Sequence, residues 1–173
     1  MEVNYCRRCG TPLAHQRNHI YKCINDHTIF NNASASVGVF ILNQDNDVLM
    51  SVRGIEPSKG KLDAFGGFLD GLETAESAIK REMVEETGLT PDQYSQPIYL
   101  GTATSEYEFD KENLHVISLL YYIYLRPGAK VQALDDVADI KTIPLDKIPL
   151  GELHNIDIEV GVKLLQERLN LLN

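Results

Sequence analysis

The stretch Gly66–Leu89, GGFLDGLETAESAIKREMVEETGL, decides how the rest of the chain is read. From Thr74 to Thr87 it holds Ala, Glu, Lys, Arg and Met, with no internal Gly or Pro, and Gly88 stands just past the end. That composition predicts a helix, with Thr74 as its N-cap. At about 100° per residue, Ala75, Ile79 and Met83 share one apolar face. Glu86 falls about 20° from Ile79, inside that face, and Glu82 lies about 60° off, along its edge. Glu85 sits further round, and the i, i+3, i+4 spacing brings the three carboxylates to one side. A carboxylate taken out of water is unfavourable unless it is paired or binds a metal, and neighbouring carboxylates repel. A divalent cation with oxygen ligands relieves both problems. On residues alone, two readings stand: a solvated acidic face, or a cation site.

The chain has 173 residues and a net charge of −9. That is enough for one full-sized domain with a small appendage. No Lys/Arg block stands out, which argues against a nucleic-acid or acidic-membrane partner. A small phosphate ligand remains compatible, because a bound metal supplies positive charge. The start, MEVNYCRRCG, has no apolar signal-peptide core, and no apolar run is long enough to span a bilayer. A cytoplasmic location is therefore expected. All three cysteines lie in the first 23 residues, and an odd count speaks against a disulfide framework.

Along the chain, residues 1–32 are poor in large aliphatics and cannot form a core alone. ASASVGVFILNQDNDVLMSVR then reads as strand, polar turn and strand. A Gly/Pro loop returns to a short strand near Phe65, and the Glu-rich helix follows. PIYLGTATSEYEF and LHVISLLYYIYL read as long strands joined by DKEN, and DIKTIPL as a shorter one. NIDIEVGVKLLQERLNLLN reads as an amphipathic helix capped at Asn155. The order β-β-β-α-β-β-β-α predicts an α/β fold, a mixed sheet with helices on its faces. The domain expectation is 1–32 for the appendage and 33–173 for the main domain.

Gly67, Glu73, Arg81-Glu82-Met83, Glu85-Glu86 and Gly88-Leu89 fill every fixed position of a pattern that resembles the Nudix box, G-x5-E-x7-R-E-U-x-E-E-x-G-U with U aliphatic. The flanking strands and the C-terminal helix resemble the Nudix α/β/α sandwich over about residues 34–170. The resemblance implies hydrolysis of the pyrophosphate in a nucleoside diphosphate linked to another group. It implies Mg²⁺ or Mn²⁺ held by Glu82, Glu85 and Glu86. It gives Glu73 a water-orienting role and makes Arg81 an ion-pair partner of a box glutamate. Gly66 and Gly67 would allow close backbone approach at the substrate. Phe65 stands where the family commonly has Pro, and Leu72 where it has Gly. Nudix enzymes often recruit an acid from outside the box, and Asp139 occupies such a place before a strand. Glu106, Glu108, Asp110, Glu112 and His115 are further acids and a His of the strand-joining loop, for which a solvated surface is the simpler reading.

CRRCG has the shape of a zinc knuckle, and YKCINDH follows, with thirteen residues between Cys9 and Cys23. Together they resemble the zinc ribbon that precedes the catalytic domain in NADH pyrophosphatase-type Nudix enzymes. Asp26 stands where a fourth Cys would be, and His27 next to it is the better zinc ligand. The expected set is Cys6, Cys9, Cys23 and His27. Asp26 as a ligand, and a ribbon without metal, stay open. His15 and His19 read as surface residues. The ribbon favours NADH or NAD as substrate; ADP-ribose and nucleotide sugars also fit the class. A nucleotide-binding regulatory or interaction module is the competing reading, although an intact box does not favour it. Homodimerisation is expected only from similar enzymes.

Overall fold

The computed structural model describes residues 3–109 and 111–170. Asp110 and the last three residues of the expected C-terminal helix lie outside them. The chain divides into two compact units, Met1–Ser34 with Glu106–Val116, and Ala35–Ser105 with Ile117–Asn173. By contacts the first unit runs to Ser34 and takes in the outer end of the long hairpin.

The first unit holds three antiparallel strands, β1 (Leu13–Arg17), β2 (Ile20–Cys23) and β3 (Thr28–Phe30). Its buried cluster is Cys6, Cys23 and Ile29, with Val3, Leu13 and Tyr21 packed against it. So little apolar burial cannot offset the ordering of the chain without a further cross-link.

The remaining strands, most of whose residues lie in the second unit, are β4 (Ser34–Leu42), β5 (Val48–Arg53), β6 (Leu62–Asp63), β7 (Ile98–Phe109), β8 (Glu112–Tyr124) and β9 (Val137–Ile143). Helix α1 (Ala75–Thr87) follows β6, and α2 (Ile156–Asn170) follows β9. The element order is the expected one. The sheet runs β6-β5-β4-β8-β7, with β9 on the other edge of β5. β4 and β8 run parallel: Ser36 meets Ser118 near one end, and Leu42 accepts the N–H of Leu125 near the other. β5 is antiparallel to β4, β6 and β9, so the sheet is mixed.

The strand period of two explains the three layers. Val37, Val39 and Ile41 of β4 pack with Ala78, Ile79 and Met83 of α1. Phe40 and Leu42, one step out of phase, pack with Ile158, Val162 and Leu165 of α2. A strand buried on both faces has to be apolar throughout, as β4 is from Val37 to Leu42. α1 starts where Thr74 accepts the N–H of Ser77 and stops at Gly88, which takes φ 70°.

Candidate active site

The segment between β6 and α1 is fastened to β4. Val39 donates to the carbonyl of Phe65, and Val37 to that of Gly67. Gly66 sits at φ +137°, and a Cβ there would lie 2.2 Å from the carbonyl oxygen of Val37. Its N–H, turned toward α1, donates to Glu86 Oε2 at 2.8 Å. A Cβ on Gly67 would lie 2.5 Å from Glu82 Oε1. The two glycines let the backbone touch the carboxylates of α1, so their first partners are glutamates.

Glu82 and Glu86 are 8 % and 9 % exposed, on the face that helical periodicity assigned them. Arg81 lies beneath the cluster and gathers the other acids. Its guanidinium donates to both oxygens of Glu73 at 3.2 and 2.9 Å, to Glu82 Oε1 at 2.6 Å and to Glu85 Oε2 at 3.0 Å. It also donates to the carbonyl of Phe68 at 3.0 Å, which ties α1 to the preceding loop. Such charge-assisted, forked contacts fix orientation as well as adding energy. The arginine proton is held more tightly than usual, first through Glu73. Glu73 is pushed below the ordinary carboxylate range, first by Arg81 and then by the Asp70 N–H. With both oxygens engaged, Glu73 is built as a brace for Arg81.

The electrostatics differ at the two buried acids. Burial pushes Glu82 up, and Arg81 partly offsets it. For Glu86, burial pushes the carboxyl up to about 8, the Gly66 N–H opposes, and the charges of Glu82, Asp63 and Asp136 add to the rise. Oxygen donors that are desolvated and short of positive charge are the chemistry that a hard divalent cation fits.

Asp139 lies elsewhere. It pairs with Val52 in β9, which puts it on the α2 face, and its Oδ1 accepts the N–H of Ile140. Two acids that the sequence did not single out are the ones whose charge reaches Glu86. Asp136 follows Leu134, whose N–H is bonded to the Glu86 carbonyl, and its own carbonyl accepts the N–H of Gly54. Asp63 is buried opposite Ser51 and binds Arg53 Nη1 at 2.8 Å. Burial still pushes Asp63 up to about 6. The signal in the sequence was an Asp within the short strand just before the glycine pair.

In the first unit, the ligand atoms of Cys6, Cys9, Cys23 and His27 all lie within 4.8 Å of one another. Cys9 Sγ is 3.7 Å from Cys23 Sγ, and Cys6 Sγ is 3.6 Å from His27 Nδ1. A tetrahedron with metal–sulfur bonds of about 2.3 Å and metal–nitrogen bonds of about 2.0 Å has edges of about 3.8 and 3.5 Å. Two turns present the ligands. Gly10 N–H bonds to the Cys6 carbonyl, and Asp26 N–H to that of Cys23. The Asp26 carboxylate points away, to Lys22 Nζ at 2.8 Å. Of the two alternatives left by the sequence, the structure brings His27 to the cysteines.

The NUDIX domain family model matches residues 33–163. The chain belongs to the Nudix family. It is 35% identical over 109 residues to an ADP-ribose pyrophosphatase of Methanocaldococcus jannaschii; the match covers 63% of this chain and 61% of that relative. The chain therefore spans about three fifths of that protein's length. Among solved structures, a bifunctional NMN adenylyltransferase/ADP ribose pyrophosphatase from Francisella tularensis matches with TM-score 0.63 and 26% identity, over 80% of this chain and 42% of that one. A MutT protein from Methanosarcina mazei Go1 matches with TM-score 0.62 and 24% identity, over 78% and 94%. The latter likeness is one of fold. The Nudix box of this chain, Gly67 to Leu89, is the segment that carries the buried glutamates.

Proposed function

We propose that this Nudix domain hydrolyses the phosphoanhydride of a nucleoside diphosphate joined to a second group, with ADP-ribose as the first substrate to test. The observation that carries the reading is the pair of buried carboxylates beside the glycine loop, Glu86 held by the Gly66 N–H and Glu82 sharing its one arginine with Glu73 and Glu85. The similarity to an ADP-ribose pyrophosphatase supports the choice of substrate.

Glu82 and Glu86, with Glu85 at the rim, would hold Mg²⁺ or Mn²⁺. When bound, the cation neutralises phosphate charge and lowers the pKa of water. Glu73 and Arg81 keep the box acids in place, and the Gly66 N–H aims Glu86. Asp136 stands in the proposal as the acid outside the box in preference to Asp139, because its segment is bonded to α1 by the Leu134 N–H at the Glu86 carbonyl. Cys6, Cys9, Cys23 and His27 would hold a Zn²⁺ of structural role, since four protein ligands leave no open position.

Incubation with Mg²⁺ and ADP-ribose, NADH, NAD or UDP-glucose, followed by chromatography, tests the reading. ADP-ribose should yield AMP and ribose 5-phosphate, and Glu86→Gln should abolish the yield. Cleavage of NADH alone would move the substrate assignment to the dinucleotides. Absence of any Glu86-dependent cleavage would overturn the catalytic reading.

A further inference from the structure

The outer part of the β7–β8 hairpin has no core of its own. Of the described residues from Glu106 to His115, none is buried; Val116 is the first that is. Phe109 is 61% exposed. A two-stranded tip of this kind is marginal by itself in water. It nevertheless forms one compact unit with the N-terminal ribbon. The charges of the two pieces are opposite. The ribbon carries Arg7, Arg8, Arg17 and Lys22 against Glu2 and Asp26. The tip carries Glu106, Glu108, Asp110 and Glu112 against Lys111. The rest of the protein is strongly acidic, so a basic ribbon needs a reason. The acids of the tip, in the same compact unit, carry the complementary charge.

The ribbon in turn is marginal without its ligand cluster, because three buried residues make up its core. We propose that metal occupancy of the Cys6, Cys9, Cys23 and His27 site orders the tip Glu106–Val116 as well as the ribbon, so that the two fold and open together. The inference rests on the zinc reading above and extends it from a local staple to a device that controls the far end of the hairpin. Metal binding to such a site is folding free energy, and whatever depends on the ribbon for its order shares it. β7 and β8 are continuous strands that have residues in both units, so loss of metal would be felt along the hairpin.

Hydrogen exchange with mass readout on the full chain tests this. Zinc content is measured first. The metal is then removed with a chelator, and peptides covering 13–30, 106–116 and 75–87 are followed. Exchange should rise at least tenfold in the first two and stay unchanged in the helix peptide. Re-addition of zinc should restore protection in both. A second arm keeps the metal: Glu106→Lys with Glu108→Lys should raise exchange in 106–116 several-fold at low salt, with zinc content unchanged. One zinc per chain with tip protection insensitive to chelation would overturn this inference and leave the zinc site standing. A chain that binds no zinc would overturn both.

Discussion

A methyl group added to Gly67 is a direct probe of the proposed metal ligands. The new Cβ would lie 2.5 Å from Glu82 Oε1, whereas real Cβ contacts essentially never fall below 3.0 Å. One partner must therefore move by at least about 0.5 Å, and by about 0.8 Å to reach an ordinary C···O contact near 3.3 Å. The loop cannot move easily, because the Gly67 carbonyl is bonded to the Val37 N–H. The carboxylate cannot move freely either, because Arg81 Nη1 holds the same oxygen at 2.6 Å. Glu82 must swing as a unit with Arg81, and Arg81 also carries Glu73 and Glu85. Ligand distances in metal sites tolerate about 0.2 Å, and a misplacement of about 1 Å can reduce turnover about a hundredfold. Gly67→Ala should lower kcat/KM for ADP-ribose by about 10- to 100-fold and shift the Mg²⁺ dependence to higher concentration. The melting temperature should fall modestly, because the clash at Glu82 costs some stability while Gly67 has no positive φ that alanine would strain. The assay is initial rate against Mg²⁺ concentration, with a thermal melt on the same sample. Unchanged rates and an unchanged Mg²⁺ curve would refute the role given to Glu82.

Three further outcomes are expected. Tyr94 is buried and its hydroxyl finds no hydrogen-bond partner among the described residues, so Tyr94→Phe should stabilise the protein by about 1 kcal/mol in urea unfolding. Burial, and then the charge of Arg53, pull His154 down to about 4 from an ordinary 6.5. The unfolded chain then binds the proton more readily, so stability should be full above pH 6.5 and fall as pH drops toward 4, by roughly 2–3 kcal/mol; a His154→Gln variant should flatten that part of the pH curve. Arg81→Ala should reduce activity more than Arg81→Lys, because lysine keeps one charge near Glu73 and Glu82 while losing the fork, and both should be read by kcat/KM.

Much of this architecture is written in local periodicity. The apolar run of β4 and the spacing of Ala75, Ile79, Met83 and Glu86 gave both the three-layer packing and the odd position of a carboxylate in an apolar face. The choice between Asp136 and Asp139 depends on something periodicity does not contain. The β5–β9 register shifts between Val52 and Arg53, which pair with Asp139 and Val137, so one extra residue changes which acids share a face. Asp63 was obscured for a related reason, since a strand of two residues has too few positions to show an alternation. The four-way grip of Arg81 joins a loop to three turns of side chains and could be read only in three dimensions. At the N-terminus the cysteine spacing announced the knuckles, whereas the hairpin tip that completes that unit lies some 70 residues further on.

Turnover and binding of ADP-ribose, measured on the same samples of the unaltered protein and Glu86→Gln with saturating Mg²⁺, test the central claim most directly. Release of AMP should fall at least a hundredfold in the variant, with the melting temperature of the metal-free protein preserved, because Gln keeps the shape of a carboxyl that burial already holds largely neutral. Equal AMP release from both proteins, or tight ADP-ribose binding with no release from either, would contradict a Glu86-dependent hydrolase.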